Sequence, residues 1–370
     1  MKRVIVAMSG GVDSSVSAVL LKQMGFDVVG VSLLLYDTKA KSHGRTCCTI
    51  YDLSDAERVA RKIRIPFYIL DMREEFRKFV IENFISEYRN ARTPIPCVHC
   101  NNYIKFDILL KKAEEISADY IATGHYAVKI KENGNYYVSK APDHQKDQSY
   151  FLFGLTSEKL KKIIFPVGKL LKSQVRKIAE ELNLPVADKK DSQDICFTEG
   201  KEIKDVLKGF GLDERIGKIK DEKGNVVGHH SGYYFLTVGQ RRGLGVRLGK
   251  PMYVIDINKD KNEIVVGEKH RLLTKNFCVE NLTFANKDIE ERAKNGIECI
   301  IKVRYSHQGS SGRIISNGKR TYVEFHEEYG PVVPGQACVF YENEKIIGGG
   351  FISDKKLWGQ TREEFSFVRI

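Results

Sequence analysis

A run of seven small and polar residues near the start of the chain, Ser9–Ser15, has the composition of a phosphate-binding loop. It follows an apolar run, Val4–Met8, that is typical of a buried parallel strand, and it precedes a helical pattern that ends at Gly25. Glycine lets the backbone approach a ligand closely, and the N–H groups and dipole of a helix N-terminus favour an anion. Serine hydroxyls at positions 9, 14 and 15 add donors for phosphate oxygens. The sequence therefore predicts a phosphate site where the strand meets the helix.

The eight cysteines are the second group of residues with potential chemistry. Cys97 and Cys100 form a C-x-x-C pair between a proline-rich segment and a predicted helix start, where the pKa of a thiol should be depressed. Cys196 lies in a polar loop that follows a helix-breaking proline. The other five are interpreted as structural residues: Cys47 and Cys48 in a loop, and Cys278, Cys299 and Cys338 in strands.

The composition is that of a globular chain of 370 residues with a net charge of +12. This length exceeds one ordinary core, so we expect two or three domains. The basic excess favours a polyanionic partner, although a lysine-rich composition also serves solubility. No apolar run approaches the roughly 18 residues of a membrane span, and the short apolar run after Met1-Lys2-Arg3 is too short for a signal peptide. We therefore expect a cytoplasmic protein with reduced thiols and no membrane partner.

Strand and helix patterns alternate through the first 125 residues, which predicts a parallel sheet with helices on both faces. Ligands of such sheets bind beyond the carboxyl ends of the strands, so Ser9–Ser15, Leu33–Leu35 and Gly124–His125 should share one rim. From about Gly209 the pattern changes to short strands, and from Phe277 onward it is typical of a small antiparallel barrel. The helices predicted after the first are one capped by Ser54 and Glu57, and those at 74–89, 103–116, 157–164 and 173–182.

The loop matches neither of two common phosphate-binding motifs. A Walker A loop needs a lysine to reach a terminal phosphate, and the spacing G-x-G-x-x-G is also absent. The sequence Ser9-Gly10-Gly11-Val12-Asp13-Ser14 resembles instead the pyrophosphate loop of the N-type ATP pyrophosphatases. Members of that superfamily bind the leaving pyrophosphate while AMP is transferred to an oxygen. The loop alone does not distinguish the synthetases from the tRNA-modifying enzymes among them.

Further blocks distributed along the chain resemble the bacterial tRNA-specific 2-thiouridylases. In order they are SGGVDSSVSAVLL, RTPIPCVHCNNYIKF, ADYIATGHYA, KDQSYFL, DSQDICF, GYYFLTVGQRRGLG and VPGQACVFY. The resemblance implies an α/β fold, with a Rossmann-like adenine nucleotide alpha-hydrolase-like domain over 1–208, a small central β-rich domain over 209–276 and a C-terminal β-barrel over 277–370. It also implies ATP-dependent exchange of oxygen for sulfur at position 2 of the wobble uridine of tRNA.

That chemistry requires an activated oxygen and a sulfur carrier. A pyrimidine carbonyl oxygen is a poor leaving group, and transfer of AMP onto it creates a good one while releasing pyrophosphate. Delivery of sulfur as a persulfide needs one cysteine to carry it and a second to resolve the disulfide. By family position, Cys196 is the persulfide carrier and Cys100 is the nucleophile.

The resemblance also implies residues that bind the substrates. Those implied for ATP with Mg²⁺ are Ala7, Met8, Ser9, Gly10, Gly11, Val12, Asp13, Ser14, Leu33 and Gly124. Those implied for tRNA are Ile95, Pro96, Cys97, His125, Lys146, Asp147, Gln148, Arg304, Tyr305 and Gln336. The implied partners are the anticodon stem-loop of tRNA and, as sulfur donor, a cysteine desulfurase or a sulfur-relay protein.

Cys97 departs from the family pattern, because several members have aspartate three residues before the nucleophile. An aspartate there is able to act as an acid or base, and a thiol replaces it only imperfectly, which leaves the proton transfer unassigned. A second hypothesis makes Cys97, Cys100 and Cys196 three ligands of a 4Fe–4S cluster whose fourth iron binds sulfide. We prefer the persulfide hypothesis because it needs only two cysteines.

Two other classes of function remain as alternatives. A synthetase that adds ammonia to an adenylated oxygen would use the same loop, but it would need neither Cys100 nor Cys196, and no glutaminase domain is recognised. An RNA-binding module without catalysis would have no use for the intact nucleotide loop.

Overall fold

The computed structural model describes residues 1–37, 50–191, 195–198, 200–246 and 249–355. Cys47 and Cys48 therefore lie outside the described residues. The chain divides into two compact units. The first comprises 1–81, 96–200 and 344–347, and the second comprises 82–95, 201–343 and 348–370. No helix among the described residues is long and apolar enough to cross a membrane.

A parallel sheet of five strands forms the centre of the first unit, in the order β3-β2-β1-β4-β7. The side chains of Val4 and Val6 are fully buried against Val16 and Val175 of the flanking helices, so the apolar run at the start of the chain forms a core strand. The strands of this unit are β1 (Arg3–Ala7), β2 (Asp27–Leu34), β3 (Phe67–Asp71), β4 (Tyr120–Thr123), β5 (Val128–Glu132), β6 (Asn135–Ser139) and β7 (Ile163–Ile164).

A β-hairpin with a two-residue turn follows β4. Strands β5 and β6 pair in antiparallel fashion out to Glu132 and Asn135, which leaves only Asn133 and Gly134 in the turn. Both turn residues have positive φ, 48° and 79°, as a two-residue type I′ turn requires.

Two π-helical segments, Arg77–Ile81 and Cys100–Ile108, interrupt the helices of the first half of the chain. They join α3 to α4 and α5 to α6, so each predicted helix in this region is one continuous helix in three parts. The helices are α1 (Val12–Gln23), α2 (Ile50–Lys62), α3 (Arg73–Phe76), α4 (Glu82–Arg89), α5 (Pro96–His99), α6 (Leu109–Glu115), α7 (Ser157–Leu160) and α8 (Lys172–Glu181).

Three predicted boundaries are wrong. Helix α2 already includes Ile50, so Ser54 lies inside the helix and does not cap it. The helix predicted from Tyr103 begins at Pro96, because proline is tolerated in the first turn, where its missing N–H has no partner in any case. Ile163 and Ile164, predicted as helical, form β7, since two β-branched residues beside β4 extend the sheet by one strand.

The first part of the second unit contains helix α9 (Ile203–Gly209) and a sheet of four strands in the order β10-β11-β8-β9. Its core is formed by Ile219, Val254, Ile264 and Val266, all of which are fully buried. These strands are β8 (Gly217–Lys220), β9 (Val226–His230), β10 (Tyr253–Asn258) and β11 (Glu263–Gly267).

The last part of the chain forms an antiparallel barrel, which confirms the predicted series of strands. Pairing of Val279 with Ile352 joins the first barrel strand to the last and closes the barrel. Cys278, Cys299 and Cys338 are buried in these strands, as expected for structural cysteines. The elements are β12 (Thr274–Phe284), α10 (Lys287–Asn295), β13 (Ile297–Lys302), β14 (Ser310–Ser316), β15 (Arg320–Tyr329), β16 (Ala337–Glu342) and β17 (Lys345–Ile352).

Candidate active site

The loop between β1 and α1 presents the N-terminus of a helix that no side chain caps. Its serine side chains hold the loop together. Ser14 Oγ accepts a hydrogen bond from the Ser9 backbone N–H at 3.1 Å and donates to the Gly11 carbonyl at 3.1 Å. Ser15 Oγ also donates to the Gly11 carbonyl, at 2.8 Å, and Ser15 is fully buried. Ser15, predicted as a phosphate donor, is therefore structural, whereas the backbone N–H groups of the uncapped helix N-terminus and the exposed hydroxyl of Ser9 are donors for an anion.

Two glycines bring other segments of the first unit into close contact with this loop. Gly10 has φ +70°, and a Cβ atom there would lie 2.2 Å from the carbonyl oxygen of Asp52. A Cβ atom on Gly124, just beyond β4, would lie 2.7 Å from the backbone nitrogen of Ser14. Gly124 and the loop therefore share one rim of the sheet, as predicted.

The remaining residues predicted to line an ATP pocket are those of β1 and β2 and the start of α1. The side chains of Met8, Val12 and Leu33 are buried in the core, and Ala7 is half-buried. Their side chains fix the strand ends in position, and their backbone groups are what this rim presents to a ligand.

Asp13, in the first turn of α1, is bound by two side chains that lie far away in the sequence. Tyr126 Oη donates a hydrogen bond to Asp13 Oδ1 at 2.7 Å. Lys172 Nζ lies 2.7 and 2.8 Å from the two carboxylate oxygens of Asp13. Burial and the adjacent Asp13 carboxylate raise the pKa of Tyr126 well above its usual range, so the phenol stays protonated and donates.

Asp191 extends this network on the other side of Lys172. Its carboxylate oxygens lie 2.9 Å from Lys172 Nζ, 2.8 Å from Lys146 Nζ and 2.9 Å from Arg176 Nη2. Burial alone would raise the pKa of Asp191, but the hydrogen bonds from Lys146 and Lys172 lower it to about 2. Asp191 is therefore ionised at neutral pH and anchors three cations.

Lys189 binds the backbone of the loop between β1 and α1. Its ammonium donates to the Gly10 carbonyl at 3.0 Å and lies 2.5 and 2.6 Å from the carboxylates of Asp52 and Asp55. Burial opposes its charge, but these hydrogen bonds prevail and raise the pKa of Lys189, so the ion cluster holds at neutral pH.

Cys100 and Cys97 lie on the interrupted helix that begins at Pro96. Cys97 is exposed in the first turn, whereas Cys100 is only 7% exposed at the start of the π-helical segment. Both cysteines therefore lie within the helix. The sequence pattern alone instead predicts them before the start of the helix. His99 stacks on Tyr103 with ring centroids 5.9 Å apart, and burial lowers the pKa of His99 to about 4, which leaves it neutral beside Cys100.

Cys196 lies on a short 3₁₀ turn, Cys196–Thr198, and is half-buried. Two aromatic side chains anchor this turn. Tyr36 Oη donates to the Cys196 carbonyl at 2.6 Å, and Phe197 packs edge-on against Phe76 with centroids 5.9 Å apart. Because Tyr36 follows β2, the anchoring holds Cys196 on the side of the sheet where the strands end.

The residues of the first unit that were predicted to bind tRNA differ in whether their side chains are exposed or are bonded to other parts of the protein. The side chain of Lys146 is partly exposed. The carboxylate of Asp147, in contrast, is bonded internally, since it accepts hydrogen bonds from Ser149 and from the Ala141 backbone. Gln148 Oε1 accepts from the Tyr126 backbone at 3.0 Å. His125 is neutral, because burial and the nearby Lys105 lower its pKa well below the usual value, and Thr123 Oγ1 lies 2.8 Å from its Nδ1. Pro96 is buried at the start of α5.

The residues of the second unit that were predicted to bind tRNA also include both exposed and internally bonded side chains. Arg304 and Tyr305 are exposed, and the Arg304 guanidinium stacks over Tyr329 at 5.9 Å. Gln336 Nε2 instead donates to the carbonyls of Thr93 and Pro94 at 3.0 and 3.1 Å, and Ile95 beside them is buried. Gln336 therefore holds the proline segment in place.

The part of the chain that the structure describes contains no group of three or more His, Cys, Asp or Glu side chains arranged to hold a metal ion. The alternative ligand set of Cys97, Cys100 and Cys196 is thus not assembled for a cluster in this structure.

Three known protein-domain families match successive parts of the sequence. The sequence matches the family described as tRNA methyl transferase HUP domain over residues 2–200. It also matches the tRNA methyl transferase PRC-barrel domain over 204–268 and the aminomethyltransferase beta-barrel domain over 274–352. The predicted fold class, a parallel-sheet nucleotide domain followed by a small central domain and a C-terminal barrel, is confirmed.

The curated relatives that match nearly the whole chain at 42–44% identity have one name in common. A tRNA-specific 2-thiouridylase MnmA from Wolbachia sp. subsp. Drosophila simulans is 44% identical over 95% of this chain and 94% of its own length. Proteins of the same name from Geobacter metallireducens and Carboxydothermus hydrogenoformans are 42% and 43% identical, over 95% and 96% of this chain and 96% and 98% of their own lengths. The chain belongs to the family of tRNA-specific 2-thiouridylases, which are tRNA sulfurtransferases.

Proposed function

We propose that this protein replaces the 2-oxygen of the wobble uridine of tRNA by sulfur, using ATP to activate the oxygen and a cysteine persulfide as the sulfur source. The observation that carries the proposal is the uncapped helix N-terminus at Gly11, in the same compact unit as Cys100 and Cys196. The curated relatives, which are named for 2-thiouridylation, support it. The site of action would be the cytoplasm.

In the first step, the uridine 2-oxygen attacks the α-phosphorus of ATP, and the bond from that phosphorus to the pyrophosphate breaks. Backbone N–H groups of residues 10–14 would bind the pyrophosphate through the helix N-terminus. Asp13 is the carboxylate of this loop. Mg²⁺ would fit here, since it is bound mainly by the phosphates and needs only one or two carboxylates, and it would neutralise phosphate charge. Ala7, Met8, Leu33 and Gly124 would complete the ATP pocket.

In the second step, the terminal sulfur of a Cys196 persulfide attacks carbon 2 of the activated uridine, and AMP leaves. The Cys100 thiolate then attacks Cys196 Sγ, which releases the 2-thiouridine and forms a Cys100–Cys196 disulfide. A dithiol reductant supplies two electrons to reopen the disulfide. A cysteine desulfurase or a sulfur-relay protein reloads Cys196.

For tRNA binding, we propose that Lys146, Arg304 and Tyr305 contact the nucleic acid directly, because their side chains are at least partly exposed. Asp147, Gln148 and Gln336 would act by holding the segments that do so, since their hydrogen bonds are internal. His125 would offer a neutral imidazole, and Ile95, Pro96 and Cys97 would border the target base. We retain 1–208, 209–276 and 277–370 as the proposed domain boundaries.

The proposal is tested by mixing the purified protein with ATP, Mg²⁺ and unmodified tRNA and measuring pyrophosphate release. We expect release only when tRNA with a wobble uridine is present. The matched control is the same tRNA with cytidine at the wobble position. Equal release with both tRNAs, or none with either, would contradict the adenylation step.

Binding of tRNA should depend steeply on salt. The net charge of +12 predicts several contacts to phosphate, and each contact releases a counterion. With about four to six contacts, the affinity should fall some tens- to thousands-fold between about 50 and 200 mM salt. Fluorescence anisotropy of labelled tRNA measures this dependence, and a flat response would mean that the charge serves solubility alone.

Cys97→Ala should retain appreciable thiolation activity, with a loss of less than about tenfold. A general acid or base typically contributes about 10²–10⁴-fold, so a loss under tenfold would exclude that role for the thiol. Cys97→Asp, which restores the residue of several family members, is the matched variant. The cluster hypothesis predicts the opposite result: a brown protein after anaerobic reconstitution, with about four irons per chain, that loses all activity as Cys97→Ala.

A further inference from the structure

Two asparagines, Asn101 and Asn102, directly follow the proposed nucleophile Cys100 inside a helix. Asparagine is a weak helix former, because its side chain competes for backbone hydrogen bonds. All three residues belong to the π-helical segment Cys100–Ile108, and π-helical turns are rare and often lie at functional sites. We propose that Asn101 is a positioning residue for sulfur transfer, whose side chain holds the start of this segment, and with it the Cys100 thiol, in place. This inference rests on the proposed role of Cys100.

A hydrogen bond joins Asn101 to a neighbouring turn of the same compact unit. Its side-chain Nδ2 donates to the Phe151 carbonyl at 3.1 Å, and Asn101 is only 3% exposed. Asn101 and Cys100 are adjacent in the chain, so their Cα atoms lie about 3.8 Å apart. The hydrogen bond therefore restricts rotation of the helix at the residue next to the nucleophile.

The turn that accepts this hydrogen bond is fixed in the core. The Phe151 carbonyl belongs to the 3₁₀ turn Ser149–Leu152. Tyr150 and Leu152, the chain neighbours of Phe151, are both fully buried. Movement of the turn would pull two large side chains out of close packing, which is costly. Asn101 thus connects the helix that carries Cys100 to a rigid part of the unit.

Asn102 makes a second contact with the same stretch of chain. A Cβ atom on Gly154 would lie 2.2 Å from Asn102 Oδ1 and 2.5 Å from its Nδ2, so the amide packs directly on the glycine. Any larger residue at position 154 would displace the side chain of Asn102 or the helix that carries it. The first two residues after Cys100 are therefore both held against residues 151–154.

The amide oxygens indicate that these asparagines do more than fill space. Among the residues that the structure describes, Oδ1 of Asn101 and Oδ1 of Asn102 are buried and accept no hydrogen bond. An unpaired buried acceptor destabilises a fold, whereas apolar side chains of similar shape would pack here without that cost. The donated hydrogen bond of Asn101 is what an apolar side chain would not supply.

The test separates the position of Cys100 from the stability of the fold. Asn101→Leu keeps the approximate shape of the side chain and removes the hydrogen bond to Phe151. We expect alkylation of Cys100 by iodoacetamide to become about three- to tenfold faster, since a buried thiol reacts only after local opening. Cys278 and Cys338, which are fully buried in the barrel, should react no faster. Peptide mass spectrometry over a range of pH gives each rate and separates it from a change in thiol pKa.

The same variant should lose sulfur transfer selectively. With persulfide-loaded protein and saturating tRNA, the single-turnover rate of thiolation by Asn101→Leu should fall about 10- to 100-fold, because a displacement of about 1 Å at a reacting group costs about that much. Release of pyrophosphate with tRNA should stay within about threefold, because activation of the oxygen precedes the step that uses Cys100.

Asn262→Leu is the matched control. Asn262 is also buried, donates to the carbonyls of Arg215 and Ile216, and has an Oδ1 atom without a hydrogen bond among the described residues. Its φ of 52° makes leucine unfavourable there, so the control should lower the melting temperature at least as much as Asn101→Leu. Alkylation of Cys100 and thiolation should nevertheless stay within about threefold of the wild-type rates.

A second set of variants covers the case in which Asn101→Leu does not fold. Gly154→Ala should accelerate alkylation of Cys100 about three- to tenfold, and the double variant Gly154→Ala/Asn102→Ala should return the rate to that of Asn102→Ala. Absence of that acceleration or of that recovery would overturn the inference.

For a folded Asn101→Leu protein, three results would overturn the inference: an unchanged rate of Cys100 alkylation or of thiolation, equal acceleration at Cys278, or an equal loss of pyrophosphate release. Failure of the wild-type protein to thiolate tRNA would instead overturn the proposed function.

Discussion

Replacing Cys100 or Cys196 by serine should reduce the rate of tRNA thiolation by about 10³-fold or more, while tRNA-dependent release of pyrophosphate continues. The reason is that the two thiols deliver sulfur after the oxygen has been activated at a different part of the site. Serine preserves the size of the side chain but neither carries a persulfide nor resolves one. The two rates are measured on the same sample, 2-thiouridine by mass spectrometry of the digested tRNA and pyrophosphate by a coupled assay.

The matched control for these variants is Cys299→Ala. Cys299 is buried in the barrel, and burial raises the pKa of its thiol above its usual value, so we expect it to take no part in sulfur transfer. We expect thiolation by Cys299→Ala at nearly the wild-type rate. Thiolation by Cys100→Ser or Cys196→Ser at that rate would show that the role assigned to the replaced cysteine is wrong.

Gly10→Ala should lower the efficiency of ATP use by about a hundredfold. The added Cβ would lie 2.2 Å from the Asp52 carbonyl oxygen, so the loop must shift, and a displacement of about 1 Å at a site that positions reacting groups costs about that much. The alanine would also adopt a positive φ, at a cost of about 1–2 kcal/mol in folding free energy. Steady-state kinetics with varied ATP and a thermal unfolding curve separate the two effects.

Gly25→Ala provides the comparison for the loop variant. Gly25 also has positive φ, +83°, but among the described residues no heavy atom beyond Gly25 and its two chain neighbours lies within 4 Å of the position of its Cβ. It should therefore show the conformational destabilisation without the loss of ATP use. Equal kinetic losses in the two variants would mean that backbone strain, and not displacement of the phosphate loop, accounts for the effect.

The elements predicted best from the sequence are those whose residues determine their own conformation. The apolar run of β1, the glycines after it and the periodicity of α1 are local signals, and the structure has all three in place. Two barrel strands also have such a signal, because buried residues alternate with more exposed ones along β13 and β14.

The errors arise where tertiary contacts prevail over local pattern. Ile163 and Ile164 continue a helical periodicity, but the free edge of β4 offers backbone partners that a short helix would not. Likewise, the hydroxyl of Ser15 has the chemistry of a phosphate ligand, yet the nearest acceptor in the folded loop is the Gly11 carbonyl. The contact of Lys172 with Asp13 spans 159 positions, and no spacing rule within a single sequence predicts it.

The most direct test of the central claim is the 2-thiouridine content of tRNA from cells that lack the gene, complemented with the wild-type gene or with its Cys100→Ser and Cys196→Ser variants. Mass spectrometry of the wobble nucleoside should show 2-thiouridine with the wild-type gene, and uridine without sulfur in the deletion and in both variants. Unchanged 2-thiouridine in the deletion strain, or its restoration by either variant, would contradict the account.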